Sequence, residues 1–74
     1  EYELPVRARV SLWVYEASGR LVRVLVDGQV QEPGRHRITW DGRDGGGRAT
    51  ASGVYHCRLM AGEAWATERI ALVR

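Results

Sequence analysis

Apolar and polar residues alternate with a period of two along most of the chain. No window of useful length keeps the 3.6-residue period of a helix. The alternation is cleanest from Ala8 to Tyr15. There Ala8, Val10, Leu12 and Val14 fall on one face, and Arg9, Ser11, Trp13 and Tyr15 on the other. The first set is the expected core face. Upstream, Tyr2-Glu3-Leu4 reads as the tail of an extended segment stopped by Pro5. Downstream, Glu16 to Arg20 reads as a hairpin loop with Gly19 at positive φ. Leu21 to Val26 is a second strand, apolar apart from Arg23, in which a bulge would set Val22 and Leu25 on the same side. Asp27-Gly28 and Glu32-Pro33-Gly34 read as turns, and Gly28 to Gly34 as a connection between sheets.

Arg35 to Trp40 is the third clear strand, with His36, Ile38 and Trp40 sharing a face. An indole buries some 150–250 Å², which makes Trp40 the candidate for the central core residue. The glycine-rich run Asp41-Gly42-Arg43-Asp44-Gly45-Gly46-Gly47-Arg48 turns the chain, and a strand leaves from Gly53. Within Val54 to Met60, Tyr55, Cys57 and Leu59 share one face, and Val54, His56, Arg58 and Met60 the other. Ala61-Gly62-Glu63 then turns tightly into a last strand, Ala64 to Val73. Strands this short at this turn spacing predict an all-β fold, a small antiparallel sandwich. No repeat or low-complexity linker divides residues 1–74, which read as a single domain.

Size and charge narrow the function classes. A 74-residue chain buries only about 60% of its unfolded surface, so its core is thin. Cys57 is the sole cysteine, which excludes an internal disulfide and reads as a small buried apolar residue. The formal charge of +2 arises from eleven basic residues, all arginine, and nine acidic ones. The two signs are interleaved, unlike the one-sided basic face of a nucleic-acid binder. No apolar run approaches the ~20 residues of a membrane span, and no signal-peptide pattern opens the chain.

Few side chains suggest chemistry. Asp41 and Asp44 raise calcium, but the run lacks the D-x-[DN]-x-[DN]-G spacing of a calcium loop. Aspartates accepting backbone hydrogen bonds among positive-φ glycines are the simpler reading. No G-K-[ST] element makes the loop a phosphate cradle. His56 and Cys57 are strand neighbours and point to opposite faces, which excludes them as a nucleophile–base pair. Zinc-ligand spacing is also absent, so no metal and no cofactor is implied. Trp13 is different: with Arg9 and Tyr15 it lies opposite the core set, either stacked on a cross-strand arginine, covered by a neighbouring loop, or forming a docking patch, to which, or to the core, Trp65 would belong.

The runs A-R-V-S-L-W-V-Y-E-A-S-G-R-L-V-R-V-L-V-D-G, G-R-H-R-I-T-W-D-G-R-D and A-S-G-V-Y together resemble the FlgD-type immunoglobulin-like domain. That module occurs in flagellar hook-capping proteins and at the C-termini of secreted bacterial proteins. There it is similar to the type A sorting domain of type IX secretion. The resemblance implies an immunoglobulin- or fibronectin-III-like sandwich of about six to seven strands with its first strand truncated. It makes Gly19, Trp40, Asp41, Gly42, Gly53 and Tyr55 architectural positions, with Asp44 beside them in the loop. The aromatic at Trp13, where the family commonly has a polar residue, sets this chain apart.

The resulting expectation is a non-enzymatic C-terminal accessory module of a secreted bacterial protein, extracellular or at the cell surface. It would serve sorting, anchoring or spacing, with the preceding domain of the parent chain or the secretion machinery as partner. Ile70 to Arg74 reads as a strand that closes the chain, as a true C-terminus would. Two alternatives stand beside it. One is self-assembly by strand addition at the sheet edge left by the truncated first strand; the other is carbohydrate binding through Trp13 and Trp65.

Overall fold

The computed structural model describes residues Glu1–Val73; Arg74, the last residue of the expected closing strand, lies outside the described residues. Six strands make up the described chain: β1 Tyr2–Leu4, β2 Ala8–Glu16, β3 Leu21–Gln31, β4 Gly34–His36, β5 Gly53–Ala61 and β6 Ala64–Leu72. Strands β3-β2-β5-β6 form one sheet in that order, and β1 and β4 pair as a two-stranded ribbon. Every pairing is antiparallel. Leu4 of the ribbon packs against Val10, Leu12 and Val26 of the larger sheet. This is the expected fold class, a small all-β sandwich of immunoglobulin type.

The core follows from the alternation in β2. Val10 and Val14 are fully buried, and Leu12 lies between them. One cluster gathers Leu4, Val10, Leu12 and Val26; a second gathers Val14, Val22 and Tyr55. Leu25 touches both clusters. Strand β3 reaches them by bulging. Leu12 faces Val26 but Trp13 faces Val24, and Val14 faces Arg23 but Tyr15 faces Leu21. Leu25 and Val22 are thus the extra residues, each turned toward the core, as a nearly all-apolar strand requires.

Four expectations need correction. Asp27-Gly28 does not end the strand. β3 continues to Gln31 through a third irregularity, where Val10 faces Gln29 two residues from the Leu12–Val26 pair. Gly28 sits there at φ +60°, its N–H donating to Ser11 Oγ and its carbonyl accepting from Arg9 Nη1. The turn signal was a bulge signal.

Second, the strand expected from Arg35 to Trp40 stops at His36. Its ladder partner is β1, and Tyr2 already lies opposite His36. Beyond His36 the chain leaves the ribbon, and Trp40 packs on the second cluster with its Nε1–H donating to the Arg43 carbonyl. Third, Trp40 is not central: it is half-buried at the margin of the second cluster, and Tyr55 is the aromatic inside it. The last strand also ends at Leu72 rather than Val73.

The narrow ribbon leaves the inner face of β6 largely open, while on β5 Tyr55 is buried and Cys57 and Leu59 are half-buried. An open apolar groove of about 400 Å³ runs between Tyr2, Ile38 and Trp40 on one side and Cys57, Leu59 and Ile70 on the other.

Candidate interaction face

The outer face of the four-stranded sheet is built by period two on each strand and by the order in which the strands lie. Trp13 stands between Val24 of β3 and Arg58 of β5. Arg58 faces Thr67 of β6, and Met60 faces Trp65. The Arg58 guanidinium lies 5.9 Å from the Tyr15 ring centroid and 5.4 Å from that of Trp65. One cation thus bridges two aromatics on different strands, a geometry attractive to both ring faces. Trp65 is 64% exposed, and Val24 and Met60 are also exposed, while Trp13 is half-buried between its neighbours.

Of the four residues expected in an outer patch, Tyr15 and Trp65 are joined through Arg58, and Trp13 adjoins them opposite Arg58. Arg9 is not joined to them by a contact of this kind; its guanidinium donates to the Gly28 carbonyl at 2.6 Å. The cross-strand arginine exists, but it stacks on Tyr15 and Trp65 instead of Trp13. Arg58, Met60 and Val24 were missed as patch members. Alternation places Arg58 and Met60 on the outer face, but the pairing of β2 with β5, far apart in sequence, carries no local signal.

The glycine loop forms a closed corner. Asp41 Oδ1 accepts from the Arg43 N–H and from Arg23 Nη1, both at 3.0 Å. Asp44 Oδ1 accepts from the N–H groups of Gly46 at 2.9 Å and Arg48 at 3.0 Å. The Gly45 N–H donates to the Val22 carbonyl at 3.0 Å, which docks the loop on β3. Gly42, at φ +74°, accepts at its carbonyl from both the N–H and the hydroxyl of Thr50. Gly19, at φ +93°, turns the β2–β3 hairpin, while Gly53 opens β5 without a positive φ. Tyr55 is buried and donates its hydroxyl to the Ala51 carbonyl at 2.6 Å. A tyrosine bonded to backbone a few residues upstream is the tyrosine corner of immunoglobulin sandwiches.

The Arg48 N–H, with that of Gly46 behind it, holds the Asp44 carboxyl below its ordinary range. Hydrogen bonds from Ser18 and then Arg20 do the same for Glu16. Because both folded values are depressed, their stabilisation is present above the unfolded carboxylate range. It disappears as pH falls below about 4. Asp44→Asn keeps an acceptor but not the charge. Its urea midpoint should therefore fall less than that of the parent between about pH 5 and pH 2.5. Equal falls would remove Asp44 from the acid response.

Cys57 and His56 point to opposite faces, and Cys57 packs against the first core cluster half-buried at the groove, less enclosed than the buried residue expected. Burial, and secondarily the neighbouring Glu68, push the Cys57 thiol upward, away from thiolate reactivity. No group of three or more His, Cys, Asp or Glu residues among the described residues is arranged to hold a metal ion.

A protein-family model described as FlgD Ig-like domain matches residues 1–64. No curated protein and no solved structure matches the chain.

Proposed function

Since the chain belongs to the FlgD Ig-like domain family, a non-catalytic accessory module, we propose that it serves an exported bacterial protein as a sorting or anchoring domain. Its partner contact is the outer face around Tyr15, Arg58 and Trp65. The observation that supports this is the Arg58 guanidinium stacked between two aromatics, one of them largely exposed. Tyrosine, tryptophan, methionine and arginine are the residues enriched where proteins dock, and all four meet here. Stacking also holds these side chains in place before binding, which lowers the entropy cost of docking. The preceding domain of the parent chain and the secretion machinery are the two partners that fit such a role.

Stacking of a sugar ring on Trp65 is less well supported, because Arg58 already lies over that indole.

The test is a reporter protein carrying this chain at its C-terminus, expressed in the bacterium of origin and followed by cell fractionation. The reporter should leave the cytoplasm or be retained at the cell surface. Replacing Trp65 and Arg58 together by alanine should reduce that at least several-fold, with the far-UV circular dichroism of the isolated domain unchanged. Identical fractionation with and without the chain would overturn the proposal.

A further inference from the structure

The two edges of the four-stranded sheet are built differently. At β3 the edge is interrupted by three register irregularities, and the glycine loop docks on it through Gly45 and through Arg23 with Asp41. These are devices that protect an edge from pairing. Strand β6 has neither a register break nor a docked loop, and its protection is limited to the charges of Glu68, on the inner face, and Arg69. It pairs with β5 from Ala64 to Leu72 without a register shift, contains neither proline nor glycine, and has no strand on its other side among the described residues. A long regular edge of this kind is a template for another strand.

Its side chains specify which strand. Gly62, at φ +61°, leads a two-residue turn that closes on the Ala61–Ala64 pair. In such hairpins the closing pair exchanges ladder hydrogen bonds. Alternation from it leaves the backbone groups of Trp65, Thr67, Arg69 and Ala71 directed to the free edge. Glu68 and Arg69 are the only charged residues in β6. If β6 pairs antiparallel with itself, a two-fold axis normal to the sheet keeps each face continuous across the join. An axis on Glu68 sets two carboxylates directly opposite, and one on Arg69 sets two guanidiniums opposite; both are unfavourable. An axis on Thr67 avoids both. It places Thr67 against Thr67 and, twice over, Trp65 against Arg69 of the second copy on the outer face, a cation–π pair. On the inner face it sets Ala66 against Glu68 of the second copy and Ala64 against Ile70 of the second copy.

We propose that β6 is a homodimer edge: two copies pair antiparallel about Thr67 to form one continuous eight-stranded sheet. The exposed Trp65 indole then lies between Arg58 of its own chain and Arg69 of the second copy. The open inner grooves of the two copies face each other across the axis. This assembly does not rest on the sorting role proposed above, and it uses a different edge from that of the short β1.

Sedimentation equilibrium of the 74-residue chain should show the average mass rising with concentration toward twice that of the monomer. Thr67→Pro removes an N–H that β5 does not use, so it should leave a monomer with unchanged circular dichroism. Arg69→Glu, which withdraws the cation from Trp65 without touching the backbone, should also shift the equilibrium toward monomer. Register is read by oxidation in a Cys57→Ala background. Opposed residues of a hydrogen-bonded pair have Cα atoms about 5.5 Å apart, within disulfide reach. Thr67→Cys should therefore cross-link to a covalent dimer, and Trp65→Cys should not. A parent chain monomeric at every concentration, or a dimer retained in both Thr67→Pro and Arg69→Glu, would overturn the proposal. Cross-linking through Trp65→Cys in preference to Thr67→Cys would overturn the register. A loss of export without a change in mass would bear on the outer-face proposal alone.

Discussion

Tyr55→Ala should remove a large share of the domain's stability, about 3–5 kcal/mol, while Tyr55→Phe should show only a modest loss. For a chain of this length the total stability is on the order of 4–11 kcal/mol. Deleting a buried aromatic ring costs about 3–5 kcal/mol. Tyr55 is 6% exposed and packs with Val14 and Val22 in the second core cluster. It also supports the Trp40 ring, whose centroid is 5.0 Å away in an edge-on arrangement. Alanine removes all of these contacts from a core with few others to rely on. Phenylalanine removes only the hydroxyl that donates to Ala51. That bond spans the entry to β5 and contributes about 1 kcal/mol, somewhat more if the carbonyl is left without a partner. Urea denaturation of the two variants separates packing from the hydrogen bond. A loss below about 1.5 kcal/mol in Tyr55→Ala would show that the ring does not anchor the second cluster.

Legibility in the sequence depended on how local the controlling interaction was. Alternation alone puts Val10, Leu12 and Val14 of β2 inside, as the structure does, whereas in β5 it only groups Tyr55 with Cys57 and Leu59, and the pairing with β2 decides that this face is the inner one. The bulges in β3 were foreshadowed because Val22 and Leu25, three apart in a strand, cannot otherwise share a face. Gly28 misled because a glycine at positive φ serves a turn and a bulge equally. Only its contacts to Ser11 and Arg9, from the neighbouring strand, decide between them. Trp40 misled for a related reason. A large aromatic at the end of an apolar run suits a core centre, but β4 ends at His36 and carries Trp40 beyond the paired ribbon. The outer face was half visible. Trp13, Tyr15 and Trp65 stand out by residue type, whereas Arg58 acquires its place only when β5 lies between β2 and β6.

Trp40→Ala should destabilise the domain by about 2–3 kcal/mol, less than the 3–5 typical of a fully buried indole, because the ring is half-buried. Three contributions are lost together. The ring leaves its place against the second cluster of Val14, Val22 and Tyr55. Its edge-on contact with Tyr55 disappears, worth about 0.5–1.5 kcal/mol beyond burial. Its Nε1–H no longer donates to the Arg43 carbonyl at 2.9 Å. That carbonyl keeps a second donor, Arg23 Nη1 at 3.0 Å, so it is not left unsatisfied. Trp40→Phe preserves most of the packing and should cost roughly half as much, because only the indole donor and part of the ring area are lost. Pairing Trp40→Ala with Tyr55→Phe in a double-mutant cycle asks whether the corner acts as a unit. The two changes should be non-additive by at least about 0.5 kcal/mol, since both loosen the join between the loop and β5. Strict additivity would mean that the aspartate-capped loop and the tyrosine hydroxyl hold the chain independently. A loss above about 4 kcal/mol from Trp40→Ala alone would return the indole to the centre of the core, against its place at the margin.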